Sequence, residues 1–149
     1  MSTAFQLLVG SLAGVLEAVP SHAGIAVYRN KLHPASQSEA KALFVRLVGS
    51  QRVPDAPLGG TDWDTLIEVE AAARALTGQD PAAAVDALVE SCWAALLAAP
   101  LGLPDVTDLD ASPDLRWEFD AADTPLASAT FRLVVRHRTQ ANTLTPWSA

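Results

Sequence analysis

Seven carboxylates in this chain are spaced as if they could do acid–base chemistry. Asp62, Asp64, Glu68 and Glu70 recur at even intervals, and Glu118, Asp120 and Asp123 cluster further on. A hydrolase would need two of them in one cleft with separated pKa values, one to protonate a leaving group and one to activate water. The bland alternative is equally consistent with the spacing. Even intervals on a strand make a polar, solvated face, and Asp120 and Asp123 suit a turn. His22, His33 and His137 stand apart from one another, with no second ligand at metal spacing, and no HExxH or EF-hand loop is present. His137 lies between two arginines near a strand end, which suits a surface or subunit-contact histidine. Gly59-Gly60 lacks the lysine and following helix of a phosphate loop, and no GxSxG occurs. The single cysteine, Cys92, rules out an internal disulfide framework and falls on an apolar helical stripe, as a small core residue would.

The basic counterpart is Arg132, Arg136 and Arg138, on alternate positions of one strand. Three explanations are open. The stripe could pair with the acidic face of the Asp62–Glu70 strand within one subunit. It could meet carboxylates of a neighbouring subunit or partner, where complementary charge sets register. Nucleic-acid binding ranks third, because stacking aromatics and positive surroundings are missing and the net charge is −7. Arg132, Arg136, Arg138, Glu68 and Glu70 are therefore the candidate interface residues. No catalytic, cofactor-binding or metal-binding residue is assigned.

These side chains must be positioned by a chain of 149 residues, which suits a single domain, 1–149, able to bury one core. It is 50% hydrophobic and 18% charged, against roughly 25% charged in an average domain. Much of the apolar excess is alanine, which suggests surface covered by other subunits. The apolar stretch Ala4–Val19 has no Lys or Arg before it and is interrupted by Gln6 and Glu17. It is expected to be a soluble amphipathic helix, neither a signal peptide nor a membrane span. Ser2 or Thr3 can cap it, Leu8, Val9, Leu12 and Leu16 share its stripe, and Pro20 stops it. Gly10 and Gly14, one turn apart, either admit another backbone or are merely tolerated.

Next come a short strand within Gly24–Leu32, a strand over Ala42–Val48, and a flexible loop over residues 49–61 rich in glycine and proline. Asp62–Leu76 supports a strand or a helix. The alternation from Trp63 to Ala71 favours the strand. Asp80 caps a second helix, Pro81 occupies its first turn, and Val85, Leu88, Val89, Cys92, Trp93, Leu96 and Leu97 form its stripe. Ala83, Ala87, Ala94 and Ala98 lie opposite, and Pro100, Gly102 and Pro104 end the helix. The run from Leu115 to Arg138 alternates twice across one break, a β-hairpin with one buried face. Leu115, Trp117 and Phe119 are expected on that face with Ala127, Ala129, Phe131, Leu133 and Val135. Residues 139–149 form an extended C-terminal tail with Trp147 as its anchor. The order α-β-β-β-α-β-β predicts an α+β, two-layer domain. Its mainly antiparallel sheet of about five strands packs against two helices.

The order and character of four segments resemble the tail terminator proteins of long-tailed (siphovirus-like) bacteriophages. The segments are the apolar first helix; VYRNK (Val27–Lys31) followed by ALFVRLV; the strand from Trp63 leading into DPAAAVDALVESCWAAL; and WEFDAADTPLASATFRLVVRHRT (Trp117–Thr139). The resemblance implies a non-enzymatic virion protein, assembled in the host cytoplasm. It would form a homohexameric ring on the head-proximal end of the tail tube. Its implied partners are itself, the major tail tube protein and the head–tail connector. No cofactor, membrane or direct nucleic-acid recognition is implied, although DNA passes through such a ring. Another neck or tail-completion protein is the nearest alternative. A small hydrolase or ligand-binding domain is the alternative from another class.

Overall fold

The computed structural model describes residues 2–31, 39–54, 59–99, 103, 105–120 and 125–147. His33, Pro100, Gly102, Pro104 and Asp123, which entered the sequence reading, lie outside them. Helix α1 spans Ala4–Glu17, and Thr3 caps it by accepting from the Gln6 amide. A 3-10 turn, Pro20–His22, leads to β1 (Ala26–Arg29), then β2 (Lys41–Arg52) and β3 (Gly60–Arg74). Helix α2 spans Pro81–Ala98, with Asp80 accepting from the Ala82 amide. Strands β4 (Val106–Phe119) and β5 (Leu126–Gln140) complete the order α-β-β-β-α-β-β.

The strands form one sheet in the order β1-β2-β3-β5-β4. Pairing is antiparallel except between β1 and β2, so the fold is α+β with a mainly antiparallel sheet. The parallel first pair departs from the expectation that neighbours in sequence pair antiparallel. Asn30 ends β1 at φ 55°, and its side-chain oxygen accepts from the Leu47 amide, anchoring the turn to β2. Asn is one of the few residues that adopts this conformation at low cost.

Both helices cover one face of the sheet. Leu8, Leu12 and Leu16 of α1 and Val85, Cys92 and Leu96 of α2 pack on Leu43, Val45, Ile67, Val69, Phe131, Leu133 and Val135. The period-two alternation of β3 and β5 thus places every second side chain beneath a helix. Among the described residues, the opposite face has no helical layer and carries a small cluster, Ala42, Phe44 and Ala72, with Tyr28 stacked on Phe44. A Cβ at Gly10 or Gly14 would meet nothing within 4 Å, so these glycines are tolerated rather than needed for close approach. Ala83, Ala87, Ala94 and Ala98 are exposed, as α2's periodicity predicts.

Three expectations are corrected. The loop assigned to residues 49–61 is shorter, because Gly49, Ser50, Gln51 and Arg52 pair with Leu66, Thr65, Asp64 and Trp63 after a bulge at Leu47/Gly49. The neighbouring strand satisfies these backbone groups, and Val48 is the extra residue that the bulge takes up. Over its described residues the tail, expected to be extended, folds back on the domain. Thr139 bridges Pro146, and the Leu144 carbonyl accepts from the Ala4 amide at 2.8 Å. Trp147 does anchor it, with the Arg138 guanidinium 5.4 Å from its ring centroid. Finally, Leu115, Trp117 and Phe119 lie opposite Phe131, Ala129 and Ala127 in register, yet are 37%, 43% and 52% exposed. The predicted parity is correct, but β4 is the outermost strand and the helices do not cover these side chains.

Candidate protein interface

The predicted acidic and basic stripes meet across β3 and β5. Asp62 lies opposite Arg138, Asp64 opposite Arg136, and Glu68 opposite Arg132. Arg136 donates to both oxygens of Asp64 at 2.8 Å, and Arg138 donates to Asp62 at 2.7 and 3.1 Å. Such two-point contacts are the strongest arginine–carboxylate geometry. The Arg136 hydrogen bond holds the Asp64 carboxyl below the usual carboxylate range. Reciprocally, Asp64 raises Arg136 and Asp62 raises Arg138.

At the other end of the stripe, Glu68 bridges two arginines, accepting from Arg132 at 3.3 Å and from Arg46 at 3.0 Å. Arg46 reaches Glu70 at 2.7 Å and donates to the Lys31 carbonyl at 2.7 Å. Arg46 therefore completes a network that the sequence reading of the stripe missed. Its even offset from Phe44 on β2 was the available signal. All the candidate interface residues, Arg132, Arg136, Arg138, Glu68 and Glu70, sit on the bare sheet face. Their charges pair within the subunit. Glu70 is buried, whereas Arg132 and Arg136 keep about two-fifths of their side-chain surface in solvent.

A polar groove of about 240 Å³ opens on this face, with Glu118 and Arg116 of β4 facing Glu68, Glu70, Arg46 and Arg132. It gathers Glu118 with two carboxylates of the acidic strand, but Asp120 does not line it. Asp120 instead accepts from the Leu126 amide at 2.8 Å and closes the hairpin, which is turn chemistry. Among the described residues, no group of three or more His, Cys, Asp or Glu side chains could hold a metal ion.

The two described histidines, His22 and His137, are held in structural contacts. His137 is not on the surface as expected. It follows Val135 in the parity of β5 and lies under α1, with Nε2 2.6 Å from the Thr65 hydroxyl and its ring edge-on to Phe5. Burial pushes its pKa below the ordinary value. His22 joins the layers, Nδ1 lying 2.7 Å from the Leu16 carbonyl and Nε2 2.6 Å from the Ser91 hydroxyl of α2. Cys92 is buried, and desolvation raises its thiol pKa to about 12.

Among the described residues, two exposed apolar surfaces lie at opposite edges of the sheet, both on its helix side. One is the β4 stripe Leu115, Trp117 and Phe119. The other is an open groove of about 360 Å³ beside the β2 bulge, lined by Phe5, Leu47, Val48, Trp63 and Leu144. Within it Val48 is 46% and Leu144 49% exposed. Large exposed apolar side chains that cluster mark interaction surfaces.

No family model matches the sequence, and no curated protein matches it. Among solved structures, the fold is similar to a chain from the virion of a native gene transfer agent particle. The two share 17% sequence identity over 92% of each chain, with a TM-score of 0.45.

Proposed function

We propose that this chain is a structural protein of a phage or phage-derived particle, a tail terminator. It forms a ring on the head-proximal end of the tail tube, ends tube polymerisation and provides the joint to the head–tail connector. The observation that carries this reading is the pair of exposed apolar surfaces at opposite sheet edges. A subunit with different sticky patches on opposite sides associates head to tail, and a rotation that closes gives a ring. The segment resemblance supplies the setting, because VYRNK, ALFVRLV, the Trp63 strand with its helix, and the hairpin follow one another as β1, β2, β3–α2 and β4–β5.

The charged bare face has a part in this reading. Arg132 and Arg136 are paired internally but still accessible, so the face presents an ordered lattice of both signs. Such a lattice can set register against the tube or connector without supplying much affinity. The decisive experiment adds the purified chain to polymerising tail tube protein from its own particle. Tubes of uniform length with a ring at one end, seen by negative-stain microscopy, are expected. Unchanged polymerisation with bare tube ends would overturn the reading.

A ligand-binding domain is favoured by one observation, the groove that gathers Glu68, Glu70 and Glu118. Glu118→Gln separates the readings. Capping by this variant, which loses one of the four exposed acids of β4, should persist, whereas a ligand site built on these carboxylates would lose its function.

A further inference from the structure

The two edges of the sheet differ in charge as well as in position. Strand β4, the outer edge on one side, exposes Asp108, Asp110, Asp114 and Glu118 against a single arginine, Arg116. On the other side, β1 covers β2 only from Ala42 to Val45, which leaves the β2 edge beyond Arg46 unpaired. This edge exposes Arg29, Lys31, Lys41 and Arg52. Among the described residues of this edge, Arg29 has a carboxylate partner, Glu17 at 3.3 Å, and Lys31, Lys41 and Arg52 form no salt bridge with a described carboxylate. Each edge also carries one of the apolar surfaces, the Leu115–Trp117–Phe119 stripe beside the acids and the Leu47–Val48–Trp63 groove beside the bases.

We infer that the acidic β4 edge of one copy docks on the basic β1–β2 edge of a second copy of this chain, with Trp117 entering the groove beside Val48. This assignment deepens the ring reading and rests on it for its setting. Three features point to a second copy as the occupant. Opposite charges at the two edges attract unlike edges and repel like ones, which favours head-to-tail contacts over two-fold pairing. Both apolar surfaces lie on the helix side of the sheet, so docking keeps the helix layers of neighbours on the same side, as a cyclic assembly requires. The groove, at about 360 Å³ and lined almost entirely by apolar side chains, can accept an aromatic ring. Strand addition is not the mechanism, because β4 contains Pro113 and its register shifts between Ala111 and Leu115. The contact is made by side chains. Along the strands the stripe and the groove are offset by roughly 20 Å at 3.3 Å per residue, so neighbouring sheets sit at a slant.

Two cysteine variants test the assignment, Val48→Cys and Trp117→Cys, in a background where the native Cys92 is buried. Both sites are exposed, so folding should be retained, with circular dichroism as the check. Under mild oxidation, a mixture of the two variants should give a disulfide-linked 48–117 dimer, and neither variant alone should. In parallel, Trp117→Glu should weaken self-association more than tenfold, the behaviour of a central aromatic anchor. Only 117–117 or 48–48 links, or no 48–117 link in a preparation that native mass spectrometry shows to be oligomeric, would overturn the edge assignment while leaving ring formation standing. A 48–117 link in a protein that leaves tail tubes uncapped would support the assignment and reject tube capping. A chain that stays monomeric at its highest soluble concentration, with and without tail tube protein, rejects both.

Discussion

Removing the Glu70 carboxylate should cost much more stability than removing that of Glu68, although both contact Arg46. The Arg46 and Glu70 side chains are 10% and 7% exposed, so their 2.7 Å contact has little solvent to replace it. Glu68 is 23% exposed, and its other partner, Arg132, is 38% exposed. Breaking a buried pair costs about 3–5 kcal/mol, whereas exposed pairs contribute about 0–1 kcal/mol. In Glu70→Ala, Arg46 keeps Glu68 and the Lys31 carbonyl, which places the expected loss near the lower limit, about 3 kcal/mol. Glu68→Ala should lose about 1 kcal/mol. For a chain of this size, each kcal/mol lowers Tm by about 2–4 °C, so the expected shifts are about 6–12 °C and 2–4 °C. Urea denaturation followed by tryptophan fluorescence measures both, at one protein concentration because association would shift the midpoints. The double variant Arg46→Met/Glu70→Leu should recover much of the loss, since an apolar pair avoids leaving a stranded charge. A Glu70→Ala loss below 1 kcal/mol, or a Glu68→Ala loss larger than that of Glu70→Ala, would refute the argument from burial.

Asp80→Ala removes the oxygen that accepts from the Ala82 amide at 3.0 Å and should lower stability by about 1 kcal/mol, measured by thermal denaturation. His137 gives a pH dependence with a definite sign. Its folded pKa lies below the unfolded value of 6.5, so the unfolded state binds the proton first. Stability should be full above about pH 6.5 and fall as pH drops below it, and His137→Gln should flatten that limb of the urea midpoint profile. Cys92 should resist alkylation by iodoacetamide at pH 8 in the native protein and react once urea unfolds it, because burial holds the thiol near pKa 12. Rapid native labelling, read by mass spectrometry, would contradict its place in the core.

What the sequence alone determined is local. A cap at Ser2 or Thr3 and one at Asp80 start the helices, with the structure choosing Thr3, the 3.6-residue stripes of α1 and α2 point into the core, and period two sorts the faces of β3 and β5. These signals act between residues a few positions apart, so they survive without knowledge of the rest of the chain. Cross-strand pairing of Arg136 with Asp64 was legible as one of the open alternatives, because two complementary stripes of equal period need only adjacent strands. Which strands are neighbours was decided by the tertiary structure. It placed β5 between β3 and β4, laid β1 parallel to β2, and brought Arg46 to Glu70. It also decided burial. Leu115, Trp117 and Phe119 have the parity of core residues, and His137 has the look of a surface one, yet the reverse holds. Alternation specifies a side of the sheet, but only the reach of the packed helices determines whether that side is covered. On β5 it is, and on the edge strand β4 the same apolar parity is left exposed.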